Sequence, residues 1–447
     1  MQIPITGTAS RPDPQAQPYV MSQRGSHSAG SPPCRLGYLV SHPIQYQAPL
    51  LRRIAADPRF DLQVLFLSDV SVKPYRDVGF GREVSWDVDL LSGYEHHFLD
   101  TLGPSDRLSN LRPFNRGVER AVRDASLDAL WIHGYAHPSN LRALYAAKRA
   151  GVPVFLRGES LPEAKARGGW RARLRQALVR PILEHVDGCL AIGSDNADFY
   201  REFGVPDERI HLVPYAVDNQ RFEAEATAAR SQRDSLREQL GLSADRPVVA
   251  YASKFIERKR ADLLLQSFAD LLRQRQLGSA PPLPRPQLLL AGDGDLRETL
   301  EARVQQLGLQ NDVRFPGFFN QSELPALYDL ADVFVLPSRY EPWGLVVNEA
   351  MCAGTPVIVA AAVGSARDLV HHGRTGWCFD TDDQRDLTRC LDEATRDPGH
   401  TARVGRAALE RVRSWSFAED IAGLAAACHA VGALKAAPAA PGMETAA

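Results

Sequence analysis

A single hydrophobic core rarely serves more than about 250 to 300 residues, so a chain of 447 predicts two domains. Its 52 Lys and Arg against 54 Asp and Glu leave a formal charge of -2, which excludes the strongly cationic class that wraps nucleic acid and predicts no nucleic-acid partner. Six scattered cysteines without CxxC spacing fit reduced thiols in a cytoplasmic protein, and no stretch approaches the roughly 20 apolar residues that span a bilayer.

Residues 1–34 lack the ordered basic, apolar and cleavage regions of a signal peptide and are expected to form a disordered extension. "CRLGYLVSHPIQYQAPLLRRIAA" then passes from an apolar strand through a Pro-containing turn into a helix with one apolar face. "FDLQVLFLS" reads as the next strand and is followed by a long polar and aromatic region. "LDALWIHG", "GVPVFLRG" and "VDGCLAIGS" supply further strands with helical stretches between them. After "RIHLVPYAVDNQRF" a polar helical segment precedes a second series: "PVVAYASKF", "PQLLLAGDGD", "DVRFPGFF", "DVFVLPS", "TPVIVA" and "GWCFD". Residues 275–285 carry too much proline for a regular element and predict a surface loop.

Short apolar strands alternating with longer helices predict parallel α/β units, whose ligand loops lie beyond the strands' carboxyl ends. Two such series predict two Rossmann-like domains facing a central cleft, residues 35–220 and residues 221–412. A terminal helix is expected over 413–432 and a disordered tail over 433–447.

The chemistry gathers in "LPSRYEPWGLVVNEAMCAGTPVIVA". Pro342 and Gly344 delay a helix that runs from Leu345 to Ala353, and Gly354 and Pro356 stop it. Glu341 then lies on the loop and Glu349 within the helix, spaced to hold two parts of one ligand. The N–H groups around Gly344 and Leu345 at the helix start can bind phosphate oxygens, and the missing Gly344 side chain permits close approach. Glu341 can accept sugar hydroxyls and Glu349 those of a ribose. A solvated loop glutamate and an exposed helix glutamate are the plain alternative, which two isolated carboxylates would favour.

"ASKFIERKR" follows a strand and brings Lys254 and Lys259 to the same end of the sheet, where they can neutralise a departing diphosphate; Arg258 and Arg260 are alternatives for that work. "AGDGD", with Gly292 and Asp293, can approach a nucleotide closely but is not a P-loop, and a tight structural turn is an equal reading. "GSARDLV" is a further candidate loop. On the amino-terminal side His42, Gln45, Tyr46, His133 and Arg157 follow strand candidates and are expected to converge on the cleft, His133 ahead of His137 because it lies nearer its strand.

These motifs resemble the retaining glycosyltransferases of the GT-B fold, in the large family of bacterial polysaccharide and lipid-glycan mannosyl- and glucosyltransferases (glycosyltransferase family 4). The resemblance rests on the E-x7-E arrangement of Glu341 and Glu349, flanked by Pro337, Ser338 and "EAMCAGTPVI", on Lys254 and Lys259, and on "AGDG" and "GRTGWCF". It covers roughly residues 35–425 and is densest after residue 245. It implies that Glu341 contacts the donor sugar, that Glu349 contacts the ribose, and that the segment Gly344, Leu345 and Val346 belongs to the donor site. It also implies that His133 contacts the sugar, that residues 221–412 bind the nucleotide-sugar and that residues 35–220 receive the acceptor.

The pattern departs in three places: "SHPIQYQAPL" stands where relatives carry a Gly-Gly loop, only Val217 and Asp218 match in "PYAVDN", and Trp343 replaces a common phenylalanine. The implied reaction moves a hexose from a nucleoside diphosphate-sugar to a hydroxyl of a glycan or lipid-linked glycan, with retention by front-face substitution and without metal or other cofactor. A non-catalytic nucleotide-sugar-binding protein is the second class. The paired carboxylates of glycoside hydrolases are a rival pattern, but hydrolysis has no use for the adjoining basic and glycine-rich loops. Residues 163–180, with Lys165, Arg167, Arg171, Arg173, Arg175 and Arg180, form a basic helix candidate for peripheral contact with an anionic membrane; a solvated face is the equal alternative.

Overall fold

Nine short strands of the first half and six of the second are defined among the described residues of the computed structural model, which are 32–77, 79–102, 112–162, 170–277 and 283–435. In the first half these are β1 (Cys34–Val40), β2 (Phe60–Phe66), β3 (Tyr75–Asp77), β4 (Arg82–Val84), β5 (Glu95–Phe98), β6 (Ala129–His133), β7 (Val154–Arg157), β8 (Gly188–Ala191) and β9 (Ile210–Leu212). The second half has β10 (Val248–Ala252), β11 (Gln287–Ala291), β12 (Val313–Gly317), β13 (Val333–Leu336), β14 (Val357–Ala360) and β15 (Gly376–Phe379).

The first sheet runs β5-β2-β1-β6-β7-β8-β9 and the second β12-β11-β10-β13-β14-β15, with all recorded pairings in both parallel. The expected pair of parallel α/β sheets is therefore present. Continuous apolar runs such as "VVAYA" and "VIVA" become strands buried on both faces, because helices cover each side. Each sheet also reverses its winding between its first and fourth strands of parallel order, β1 and β6 in one and β10 and β13 in the other. Loops leaving such neighbours diverge and open a crevice at the strands' carboxyl ends.

Alternation along β1 divides the first core. Leu36, Tyr38 and Val40 face one layer, with Trp131 and Phe155, while Leu39 faces the opposite layer with Leu65 and Leu130. The first of these layers is covered by Phe417, Ile421, Leu424 and Cys428, which belong to the helix Phe417–Ala430. That helix starts sharply because Ser416 and Glu419 form a reciprocal capping box. The expected terminal helix over 413–432 is thus shorter, as the preceding helix Pro398–Arg413 claims residue 413.

The halves meet through a second set of contacts near Tyr215. The carbonyl of Tyr215 accepts from Asn348 Nδ2 at 3.3 Å and from Trp415 Nε1 at 3.0 Å, and Trp343 stacks on Trp415 with ring centroids 5.4 Å apart. Trp343, the residue that departs from the family phenylalanine, also donates to Asn348 Oδ1 at 2.8 Å, a bond a phenylalanine lacks.

Five sequence expectations meet limits or corrections. The proline-rich stretch is partly helical, since the helix Ala261–Leu277 includes Arg275, and 278–282 lie outside the described residues. The antiparallel hairpin β3–β4 interrupts the polar region after β2, where no element was expected. Of the expected extension 1–34, residues 1–31 lie outside the described residues and Cys34 already opens β1. Of the expected tail 433–447, residues 436–447 lie outside them and Leu434 is buried, its N–H bonded to the Cys428 carbonyl. The basic segment 163–169, including Lys165 and Arg167, also lies outside.

Candidate functional site

The two strands at the second sheet's reversal deliver its charged groups to one place. Beyond β10 the chain turns through Ser253 and Lys254 into a 3-10 turn, Glu257–Lys259, and Arg260 takes a left-handed conformation (φ 54°) before the next helix. Beyond β13 the loop 337–344 reaches Glu341, whose backbone bridges Val363 and whose carbonyl accepts from Gly364 N at 3.0 Å. Lys259 Nζ forms a short ion pair with Glu341 Oε2, and Arg258 Nη1 lies 3.3 Å from the same oxygen. Burial pushes the Lys259 ammonium below its ordinary value despite the attraction of Glu341.

Lys254, Lys259, Glu341, Gly292 and Val346 line a cavity of about 390 Å³ together with Gln45 and Tyr46 from the first sheet's β1 loop. Its remaining wall is strongly aromatic: Tyr75, Phe80 and Trp86 from the hairpin region face Phe318 and Phe319 from the loop after β12. Phe80 meets Phe318 edge-on at 4.9 Å. Cations, a carboxylate and aromatic surface in one cleft suit a ligand with anionic, hydroxyl and planar parts.

The glycines of this region are set by backbone approach. A Cβ on Gly292 (φ 135°) would stand 2.0 Å from the Ser253 carbonyl oxygen, so only glycine lets "AGDGD" lie against the Lys254 loop. At Gly344 (φ 91°) a Cβ would meet Leu336 Cδ2 at 2.8 Å and Val363 Cγ1 at 3.2 Å. The left-handed start to the helix Leu345–Cys352 and the packing on β13 each call for glycine at position 344. Leu345 is half-buried against the core, and of the first-turn N–H groups that of Val347 already donates to the Gly344 carbonyl at 2.9 Å.

Other predicted residues take different positions. Glu349 is 4% exposed and accepts from Tyr328 OH at 2.6 Å, and burial pushes its carboxyl up to about 7. It is absent from the cavity wall. Asp293 shapes its own loop: its carbonyl accepts from Phe255 N at 2.8 Å and its Oδ1 from Gly294 N at 3.0 Å.

On the first sheet, His133 lies in a polar cluster with Glu159 at 3.4 Å, Tyr215 OH at 3.4 Å and Gln47 at 3.3 Å. Glu159 also accepts from Tyr46 OH at 3.2 Å and from Tyr215 OH. Against the opposing effect of burial, the hydrogen bond and charge of His133, with smaller help from the Tyr215 and Tyr46 hydroxyls, hold its carboxyl down to about 2. His42 contacts Ser41 Oγ at 2.8 Å; burial and the neighbouring His133 and His137 push its imidazole down to about 4. Neither His42 nor His133 reaches the cavity wall. Arg157 is withdrawn from it altogether, paired with Asp420 and stacked between Trp131 and Tyr215. Among the described residues no group of three or more His, Cys, Asp or Glu side chains is arranged to hold a metal ion.

Sequence reasoning missed the hairpin's Asp77, Phe80 and Trp86, together with Glu159 and Phe318. Glu159 stood within "LRGES", directly after the singled-out Arg157, and was the available signal.

Comparison with known proteins gives a consistent assignment. The family described as "Glycosyl transferases group 1" matches residues 232–411, and the "Glycosyl transferase 4-like domain" matches residues 74–216. A GDP-mannose-dependent alpha-(1-6)-phosphatidylinositol monomannoside mannosyltransferase of Mycolicibacterium smegmatis is 33% identical over 309 residues, 67% of this chain and 74% of the relative. A D-inositol 3-phosphate glycosyltransferase of Xylanimonas cellulosilytica is 34% identical over 338 residues, 73% of this chain and 78% of the relative. In fold, the chain is similar to Anabaena Alr3699/HepE crystallised with UDP-glucose, at TM-score 0.63 and 19% identity over 90% of this chain and 100% of that one.

Proposed function

Since the chain belongs to the group 1 glycosyl transferases and has the GT-B fold, we propose that it transfers a hexose from a nucleoside diphosphate-sugar to a hydroxyl of a glycan or lipid-linked glycan, with retention at the anomeric carbon. The observation that carries this reading is the convergence of Lys254, Lys259 and Glu341 on one cavity at the strands' reversal point. A relative named for GDP-mannose and a structural neighbour holding UDP-glucose support a nucleoside diphosphate-sugar as donor class.

In this mechanism the diphosphate lies toward the two lysines, whose charge stabilises it most as the sugar–oxygen bond breaks. Glu341 accepts hydroxyls of the sugar, and the Lys259 pair fixes its position. The acceptor hydroxyl enters on the face the diphosphate leaves, and a diphosphate oxygen takes its proton. No enzyme nucleophile and no metal is needed, because the lysines supply the positive charge.

The acceptor half includes Gln45 and Tyr46, the tyrosine hydroxyl donating to Glu159, which also accepts from Tyr215. The helix Trp170–His185 exposes Leu174 and Leu178, 50% and 63% accessible and one turn apart, which supports peripheral contact with an anionic membrane at its cytoplasmic face. Among the described residues no helix is long and apolar enough to cross a membrane.

Incubating purified protein with UDP- and GDP-hexoses and a lipid-linked glycan extract tests the reading by mass spectrometry. A hexose added to an acceptor, with release of the matching nucleoside diphosphate, is the expected result. Nucleotide-sugar binding without transfer across the acceptor pool would favour the non-catalytic class, and sugar release from simple glycosides without nucleotide would replace the proposal with hydrolysis.

A further inference from the structure

Lys254, expected to face a diphosphate, has another anion at its ammonium group. Both carboxylate oxygens of Asp77 lie 2.8 Å from Lys254 Nζ, and the Phe80 ring centroid is 4.8 Å from the same nitrogen. Asp77 belongs to the hairpin of the first half, 177 positions from Lys254, and is only 13% exposed where Lys254 is 31% exposed. Its place is well fixed: Oδ1 also accepts from Gly79 N at 2.8 Å and Phe80 N at 3.0 Å. The hairpin is anchored to the second half beyond this pair, since Asn320 Nδ2 donates to the Ser85 carbonyl at 2.8 Å and Ser322 N to Asp87 at 3.2 Å.

We propose that Asp77 is an internal competitor for the donor's diphosphate, occupying the Lys254 ammonium with a carboxylate that must yield when the donor binds. The inference rests on the donor reading above. A diphosphate that approaches Lys254 meets a like charge within a partly buried cavity, where screening by solvent is incomplete. Exchange of one anion for the other therefore lowers donor affinity, and it releases the first half's hairpin from a cation of the second. Donor arrival and the grip between the halves are thereby linked, each weakening the other.

The test uses the full chain with UDP and GDP as probes, titrated by calorimetry at low ionic strength. Asp77→Asn keeps an oxygen for the Gly79 and Phe80 N–H groups and removes the charge. It is expected to tighten binding of the preferred nucleotide about three- to tenfold. On a Lys254→Gln background the same substitution is expected to bring a smaller gain, because it then relieves only the repulsion and frees no cation; a gain undiminished there overturns the competition. Asp77→Ser, which also offers an oxygen to the turn, gives the same comparison if the amide variant folds poorly. Equal or weaker binding by a folded Asp77 variant, with the unmodified chain binding normally, overturns the proposal while leaving the donor reading intact. Failure of the unmodified chain to bind either nucleotide overturns the donor reading and this inference with it.

Discussion

Arg157 and Asp420 form an ion pair at 2.7 Å in which each side chain is 1% exposed, tying β7 of the first sheet to the helix Phe417–Ala430. The guanidinium also donates to the Val213 carbonyl at 2.5 Å and lies 4.8 Å from the Trp131 ring centroid. Removing one partner leaves the other charge in an apolar layer, so Arg157→Met should destabilise the protein by about 3 to 5 kcal/mol in chemical denaturation. The double variant Arg157→Met/Asp420→Leu should recover most of that loss. If the single and double variants unfold alike, the pair is not what the layer depends on.

Glu349 predicts a pH dependence with a definite sign. Its folded value of about 7 stands above the ordinary 4.5 because burial disfavours the carboxylate. The protonated form is therefore favoured by the fold, and its contribution is complete below about 4.5 and lost as pH rises through 7. Glu349→Gln carries no charge and keeps a carbonyl for Tyr328. Relative to the unmodified protein, this variant should gain stability between pH 4.5 and 8, by roughly 2 to 3 kcal/mol at the upper end. Denaturation midpoints that track together across that range would contradict the assignment.

Lys259 should be needed for turnover more than for folding. Glu341 keeps Arg258 at 3.3 Å when Lys259 is removed, so Lys259→Ala leaves a partner for the carboxylate. Loss of one group that stabilises departing charge predicts a fall in kcat of about 100- to 1,000-fold, with a smaller change in donor affinity. Glu341→Gln should act in the same direction. Single-turnover transfer assays check both, and in the same assay addition of a chelator should leave the unmodified enzyme's rate unchanged.

The glycines flanking the cavity should tolerate alanine differently from ordinary loop glycines. Gly292→Ala would force a methyl against the Ser253 carbonyl at 2.0 Å, and Gly344→Ala would combine a φ of 91° with a 2.8 Å approach to Leu336. Each variant should lose about 1 to 3 kcal/mol of stability, the first more than the second because backbone yields less readily than a side chain. Thermal unfolding compared with Gly308→Ala, whose added Cβ meets nothing within 4 Å, separates contact from backbone strain.

The parallel sheets were legible because strands such as "VVAYA" and "VFVL" are apolar throughout and their helices are long. The carboxylate loop was legible because Pro342, Gly344, Gly354 and Pro356 punctuate it. What remained hidden was set by long-range pairing. "YRD" and "REV" have no apolar run, and their hairpin exists because Phe80 and Trp86 pack on Phe318, more than 230 positions away in the chain. Arg157 follows a strand as a cleft residue should, but its partner is 263 positions distant and turns it inward. The substituted first loop also gains a reason: Gln47 accepts from Tyr38 OH at 2.5 Å and reaches His133, while Tyr46 reaches Glu159. Glycines could not make those bonds.

The closing helix Phe417–Ala430 also bears on how the protein is made. It covers the layer of Tyr38, Trp131 and Phe155, all of which leave the ribosome long before it does. During translation that sheet face waits, apolar and uncovered, while the entire second sheet is synthesised. A chain ending before Phe417 is therefore expected to keep that apolar face exposed and to aggregate.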